Sequence, residues 1–102
     1  MDVKDFFEAL PDRANGSGRL HGIEHTYVFE IGGSGTWTVA VHDGHATVSE
    51  GAHDGDCRIA TSTETFRRLV SGKQNPMTAY MTGKLKVHGD TGAALKLKNL
   101  LG

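Results

Sequence analysis

His42 and His45 flank an Asp43-Gly44 pair. A two-residue turn there places the two imidazoles directly opposite each other, with Cβ atoms about 5 Å apart. Zinc or copper could be held by such a pair with help from His53, Asp54 or Asp56. A structural zinc site needs four good ligands, however, and both histidines fall on the polar face of their strands, where solvated hairpin residues are the ordinary account. Cys57 is the only cysteine, so no disulfide can form within the chain. It alternates with Ile59 and reads as a small buried hydrophobe, with no neighbour in sequence to activate the thiol. Ser, His and Asp are plentiful, but no nucleophile elbow and no acid–base pair are recognisable. The glycine runs at 16–18 and 32–35 do not follow a strand and open a helix, as a phosphate loop requires. Nothing here implies an enzyme, a cofactor or a bound metal.

Charge excludes another class. Eleven basic residues stand against twelve acidic ones, for a formal net charge of -1. Nucleic-acid affinity rests on clustered Lys and Arg that neutralise phosphates, and no such footprint is present. The one basic cluster, Lys84, Lys86, Lys96 and Lys98, reads first as a solvated face.

The remaining candidates are apolar. Met77, Tyr80 and Met81 share one turn of a short helix, and methionine adapts its shape to variable ligands. Such helical stripes usually pack into a core. Trp37, the only tryptophan, sits mid-strand on an apolar face and either anchors the core or touches a ligand.

The elements that must position these residues follow from hydrophobic period. Val3, Phe6, Phe7 and Leu10 form one helical face, with Asp2 as its cap and Pro11 as its stop. Residues 14–22 read as a flexible Gly-rich loop. The period then becomes two. Tyr27, Phe29 and Ile31 alternate with Thr26, Val28 and Glu30. After a turn at Gly32–Gly35, Trp37, Val39 and Val41 alternate with polar residues; after Asp43-Gly44, Ala46 and Val48 do so. This is an antiparallel meander with one covered and one wet face. A loop from Gly51 to Gly55 leads to a fourth strand bearing Cys57 and Ile59. Thr61 or Ser62 caps a helix with Phe66, Leu69 and Val70, ended by Gly72. Asn75-Pro76 opens the Met/Tyr helix, which Gly83 closes. Leu85 and Val87 mark a fifth strand, and Asp90 caps a final helix with Ala94, Leu97 and Leu101 in a stripe, Leu100 adjoining it, and Lys96 and Lys98 facing away. The expected architecture is α+β: a five-stranded, mostly antiparallel sheet with helices packed on one face. The strand–helix–helix–strand portion reads as a right-handed crossover joining parallel neighbours.

The 102 residues make one domain, 1–102. At this size folding buries roughly 65% of the unfolded chain's surface, so a cavity costs contacts and is expected to be filled in use. No stretch approaches the roughly 20 apolar residues that span a bilayer. The opening MDVKDFFEAL lacks the pattern of a secretory signal, and the closing NLLG is not a peroxisomal tripeptide. A reducing, cytoplasmic setting is expected.

From about Phe6 onward the chain resembles the sterol carrier protein type two family. The resemblance rests on ordered elements: a Trp-bearing strand and the Asp43-Gly44 hairpin, then Asp56, Ile59 and Ser62, then Phe66 and Leu69. Gly72-Lys73, Asn75-Pro76, Ala79, Gly83-Lys84-Leu85-Lys86, Gly89-Asp90 and the Ala94-Leu97-Leu100 helix complete it. The stretch from Ser71 to Leu101 is the most specific. The resemblance implies a non-enzymatic binder of a sterol, fatty acid, fatty acyl-CoA or isoprenoid in a tunnel between sheet and helices. It shifts the Met/Tyr helix from core packing toward cavity lining. The expected ligand-binding residues are then Phe29, Trp37, Val39, Phe66, Val70, Met77, Tyr80, Met81, Leu97 and Leu101. The four lysines would guide an anionic headgroup or a CoA phosphate, and transient contact with a membrane surface fits such a carrier. Two other readings stay open: a metal-binding protein or enzyme using His42 and His45, and an interaction module whose apolar groove takes a partner's helix or a second copy.

Overall fold

The computed structural model describes residues 2–16 and 18–101. Ser17, within the expected loop 14–22, lies outside the described residues. The chain runs α1 (Val3–Ala14), β1 (Thr26–Gly32), β2 (Gly35–His42), β3 (His45–Glu50), β4 (Cys57–Ser62), α2 (Thr63–Val70), α3 (Pro76–Met81), β5 (Leu85–Gly89), α4 (Thr91–Ala94) and α5 (Leu97–Leu101). The strands form one sheet in the order β3-β2-β1-β4-β5. Its pairs are antiparallel except β1–β4, which is parallel. The expected α+β class is therefore observed, with one correction of topology. The chain from β4 through α2 and α3 returns antiparallel to β4, with Thr61 opposite Leu85 and Cys57 opposite Gly89. The parallel partner of β4 is β1.

That placement explains the loop after β3. The sheet edge holding β3 and the position of β4 lie on opposite sides of β1 and β2, so residues 51–56 must cross the sheet. They cross its outer face. Thr38 Oγ1 donates to the Gly51 carbonyl at 2.8 Å and accepts from the His53 amide at 3.1 Å. Gly55 lies so close to Val28 that a Cβ there would come within 2.9 Å of Val28 Cγ2. Val28 and Thr38 are thereby buried on the face expected to be wet.

Local signals account for most boundaries. Asp43 (φ 51°) and Gly44 (φ 77°) are both left-handed, as a type I′ hairpin demands. Ser62 accepts from the Thr65 amide, and Asn75 accepts from the Met77 amide ahead of Pro76 at the first helical position. Asp90 accepts from the Gly92 and Ala93 amides. Gly89 (φ 98°) is required twice over, because a Cβ would also run into the Asp56 carbonyl.

Three local expectations are corrected. Pro11 does not stop α1, which continues to Ala14. Proline removes one helical hydrogen bond, but Ala14 is fully buried and the last turn is held by packing. Asp2 occupies the N-cap without a side-chain cap bond. The stretch after α1 is anchored rather than loose, since Leu20 and Ile23 are fully buried.

The helices cover one face of the sheet. Beneath α1 and α2 lies an aromatic cluster: Phe7 stacks on Trp37 (centroids 4.8 Å apart) and on Phe66 (5.3 Å), and tilts against Phe29 (5.4 Å). α3 and α4 cover the other end of the layer, against β4 and β5.

Candidate functional site: an apolar cavity beside β5

The expected final helix is broken in two, and the break shapes the site. The Ala93 carbonyl accepts the Lys96 amide at 3.1 Å and the buried Tyr27 hydroxyl at 2.6 Å. A carbonyl taken by a side chain and a tight i→i+3 bond does not continue an α-helix, so α4 ends at Ala94 and α5 restarts at Leu97. Ala93, Leu97, Leu100 and Leu101 face the core, while Ala94 is half-buried. Lys96 does not simply face solvent: its Nζ donates to the Gly22 carbonyl at 2.8 Å, tying α5 to the segment before β1.

Between α3, the α4–α5 break and β5 the packing leaves a cavity of about 300 Å³. Leu85 and Val87 of β5 form its floor. Met77 and Tyr80 of α3 line one wall, and Ala94, Leu95 and Leu97 the other. Lys98 is the only charged residue in the lining; Asn75 and Thr91 add polar groups. This is the usual constitution of a small-molecule site, apolar with few polar groups, and the volume sits at the lower end of the range of about 300–1,000 Å³.

Of the residues expected to bind ligand, Met77, Tyr80 and Leu97 come together around this cavity. Phe29, Trp37, Val39 and Phe66 are buried in the closed aromatic core away from it. Leu101 is buried, and Val70 packs at the core's margin. Met81 projects outward at 77% exposure. The Met/Tyr helix does not turn these side chains down onto Trp37. Its buried residue is Ala79, whose small side chain lets α3 approach the sheet closely. The expected set did not include Leu85, Val87, Ala94 and Leu95, whereas Lys98, expected among four lysines to guide an anionic headgroup, does lie in the lining. Leu85 and Val87 were legible as one face of the strand following α3. Leu95 was hidden by treating 91–101 as one helix.

The four lysines do not act together. Lys84 and Lys86 lie beside the Gly32–Gly35 turn in an open groove on the outer face, Lys98 is at the cavity, and Lys96 is engaged with Gly22.

Cys57 is fully buried, and burial, with Asp90 and Asp56 adding, pushes its thiol up to about 11. At neutral pH it is a thiol, not a nucleophilic thiolate. Burial likewise pushes the Tyr27 hydroxyl well above its ordinary range, so it stays a hydrogen-bond donor. The ligand atoms of Glu24, His42 and Asp43 lie within 4.8 Å of one another, and all three residues are exposed. His42 Nδ1 is 3.0 Å from Glu24 Oε2, which also accepts the Asp43 amide at 3.2 Å, so this carboxylate braces the turn. His45 pairs with His42 across the hairpin but is not in that group.

Comparison with known proteins agrees with this fold. The SCP-2 sterol transfer family matches residues 4–102. Sterol carrier protein 2 of Bos taurus is 40% identical over 70 residues, covering 68% of this chain and 13% of that protein. Hydroxysteroid dehydrogenase-like protein 2 of Xenopus laevis is 30% identical over 104 residues, covering 98% of this chain and 25% of that protein. The chain thus spans about an eighth to a quarter of the length of these relatives. The solution structure of the sterol carrier protein domain 2 of Helicoverpa armigera superposes with a TM-score of 0.78 at 26% identity, covering 97% of this chain and 84% of that one. With its motifs in order, its sheet topology and these matches agreeing, the chain belongs to the SCP-2 sterol transfer family.

Proposed function

We propose that this protein is a non-enzymatic carrier that binds one apolar chain with an anionic head, a fatty acid or fatty acyl-CoA, in the cavity beside β5. The observation that carries the reading is the lining: apolar on the floor and both walls, with Lys98 as its single charge. Burial of the ligand's chain supplies the affinity, at about 25 cal/mol per Å² before ordering costs. Lys98 supplies a partner for a carboxylate or phosphate.

Volume favours a flexible chain over a rigid steroid nucleus. A cavity of about 150 Å³ accommodates benzene. Twice that volume takes on the order of a dozen carbons, and the rest of a longer chain lies along Tyr80 and Leu95 at the rim. Met77, Tyr80 and Leu97 make the ligand contacts in this reading; Phe29, Trp37, Val39 and Phe66 hold the sheet and helices that frame them. Membership of a sterol transfer family and the sterol carrier relatives support lipid binding in general. No helix of the described residues is long and apolar enough to cross a membrane, which fits a carrier.

Titration with a fluorescent fatty acid, with palmitate and cholesterol as competitors, tests this. Saturable binding displaced by palmitate is expected, weakened several-fold by Lys98→Gln. Absence of saturable binding, or displacement by cholesterol alone, would contradict it.

A further inference from the structure

The chain holds its sulfur in Cys57 and in Met1, Met77 and Met81. The fold treats the cysteine and the two α3 methionines in opposite ways. Cys57 is fully buried and stays a protonated thiol at neutral pH. It offers an oxidant neither access nor a thiolate. Met77 and Met81 are open to solvent, at 47% and 77% exposure. Met77 also lines the cavity, and Met81 does not. Met77 is thus reachable by a small solute and part of the wall a ligand must touch.

A thioether suits such a wall because it is apolar and adaptable. Its sulfoxide is neither: oxidation makes the side chain polar and chiral. The rest of that space is bounded largely by Leu85, Val87, Ala94, Leu95 and Leu97. An apolar chain laid against a sulfoxide strips it of water and returns no hydrogen bond. The groups that hold α3 in place are different ones. Asn75 Oδ1 accepts the Met77 amide at 2.8 Å, and Ala79 is the residue buried against the sheet. Oxidation of the Met77 side chain therefore changes the cavity wall and spares the anchors of the helix.

We propose that Met77 is an oxidation site through which hydrogen peroxide controls ligand binding, the thioether form holding the apolar chain and the sulfoxide form releasing it. The proposal rests on the lipid-carrier reading and adds a regulation of that same cavity. A lone pair on Met77 Sδ attacks one peroxide oxygen. The S–O bond forms as the O–O bond breaks, and the proton on the transferred oxygen passes to the departing hydroxide, which leaves as water. Sulfur loses two electrons and the peroxide gains them. Methionine sulfoxide reductases reverse the change, one enzyme for each epimer.

The test is palmitate titration before and after treatment with hydrogen peroxide, with peptide mass spectrometry to locate each added oxygen. As sulfoxide accumulates at Met77, affinity of the intact protein should fall about tenfold or more. Cys57 should stay unmodified and thermal unfolding little changed. Treatment with both reductases should restore binding. Met81→Leu leaves Met77 as the one thioether on α3 and should show the full loss. Met77→Leu, compared with itself before and after treatment, should show none, although Met81 is oxidised. The proposal is overturned by unchanged affinity in protein fully oxidised at Met77, by an equal loss in Met77→Leu, or by a Met77 that stays unoxidised while Met81 reacts. It is also overturned if the loss follows modification of Cys57 or unfolding. Absence of palmitate binding before any treatment would instead remove the carrier reading, and this proposal with it.

Discussion

The two ends of the helical layer solve the same burial problem differently. Under α1 and α2 the sheet is sealed by rings: Phe7 packs on Trp37, Phe66 and Phe29, and Phe29 on Phe66, with centroids 4.8–6.3 Å apart. Under α3, α4 and α5 the residues are Ala79, Ala94, Leu85 and Leu97, smaller side chains on shorter helices, and a cavity remains. Large rigid rings can fill the gap between helix and sheet; alanines and a broken helix cannot. The closed end accordingly supplies packing, and the open end leaves the cavity in which the proposed ligand would sit. Tyr27 joins them: its ring is part of the aromatic row, 6.0 Å from Phe29, and its hydroxyl fixes the α4–α5 break.

The largest effect should come from breaking the closed end. Phe7→Ala removes the ring at the centre of the stack and is expected to destabilise by about 3–5 kcal/mol, lowering Tm by roughly 15 °C or more in calorimetry. Tyr27→Phe should cost about 1–3 kcal/mol, because it removes a buried 2.6 Å hydrogen bond. It should also accelerate amide exchange in α4 and α5 while leaving α1 unchanged. Ala94→Leu sharpens the contrast. It fills open space, so denaturant unfolding should move by less than about 1 kcal/mol, yet fatty-acid affinity should fall about tenfold or more. A matching loss of stability with intact ligand binding would erase the distinction between the ends.

The smallest effect concerns pH. Cys57 is pushed up to about 11 from a usual value near 9. Because its folded-state value is raised, the neutral thiol is favoured by folding. Its contribution to stability is complete below about pH 9 and is lost as pH rises toward about 11. Urea midpoints should be insensitive to this group at neutral pH and decline in that alkaline window. Native protein should react slowly with a thiol reagent at pH 7.

Much of the fold was legible because it is locally encoded. Asp43-Gly44 fixes a hairpin, Ser62, Asn75 and Asp90 fix helix starts, and period-two alternation fixes the inward face of each strand. What was not legible depends on distant partners. Continuation of α1 past Pro11 depends on burial of Ala14. The α4–α5 break depends on a tyrosine 66 residues away. The β1–β4 pairing depends on a loop crossing the outer face to reach Val28 and Thr38. The site suffered most, since its position follows from the break. Sequence periodicity located the Met/Tyr helix, but not that Ala79, rather than Met77 or Tyr80, is the residue it buries against the sheet.

The central claim is that ligand enters the open end and not the aromatic one, and a palmitate titration followed by backbone and side-chain NMR tests it most directly. Shifts concentrated on Met77, Tyr80, Leu85, Val87, Leu95 and Lys98, with the Trp37 indole and the Phe7 ring unmoved, are the predicted result. Shifts centred on Trp37 and Phe66, with β5 and α3 silent, would contradict it.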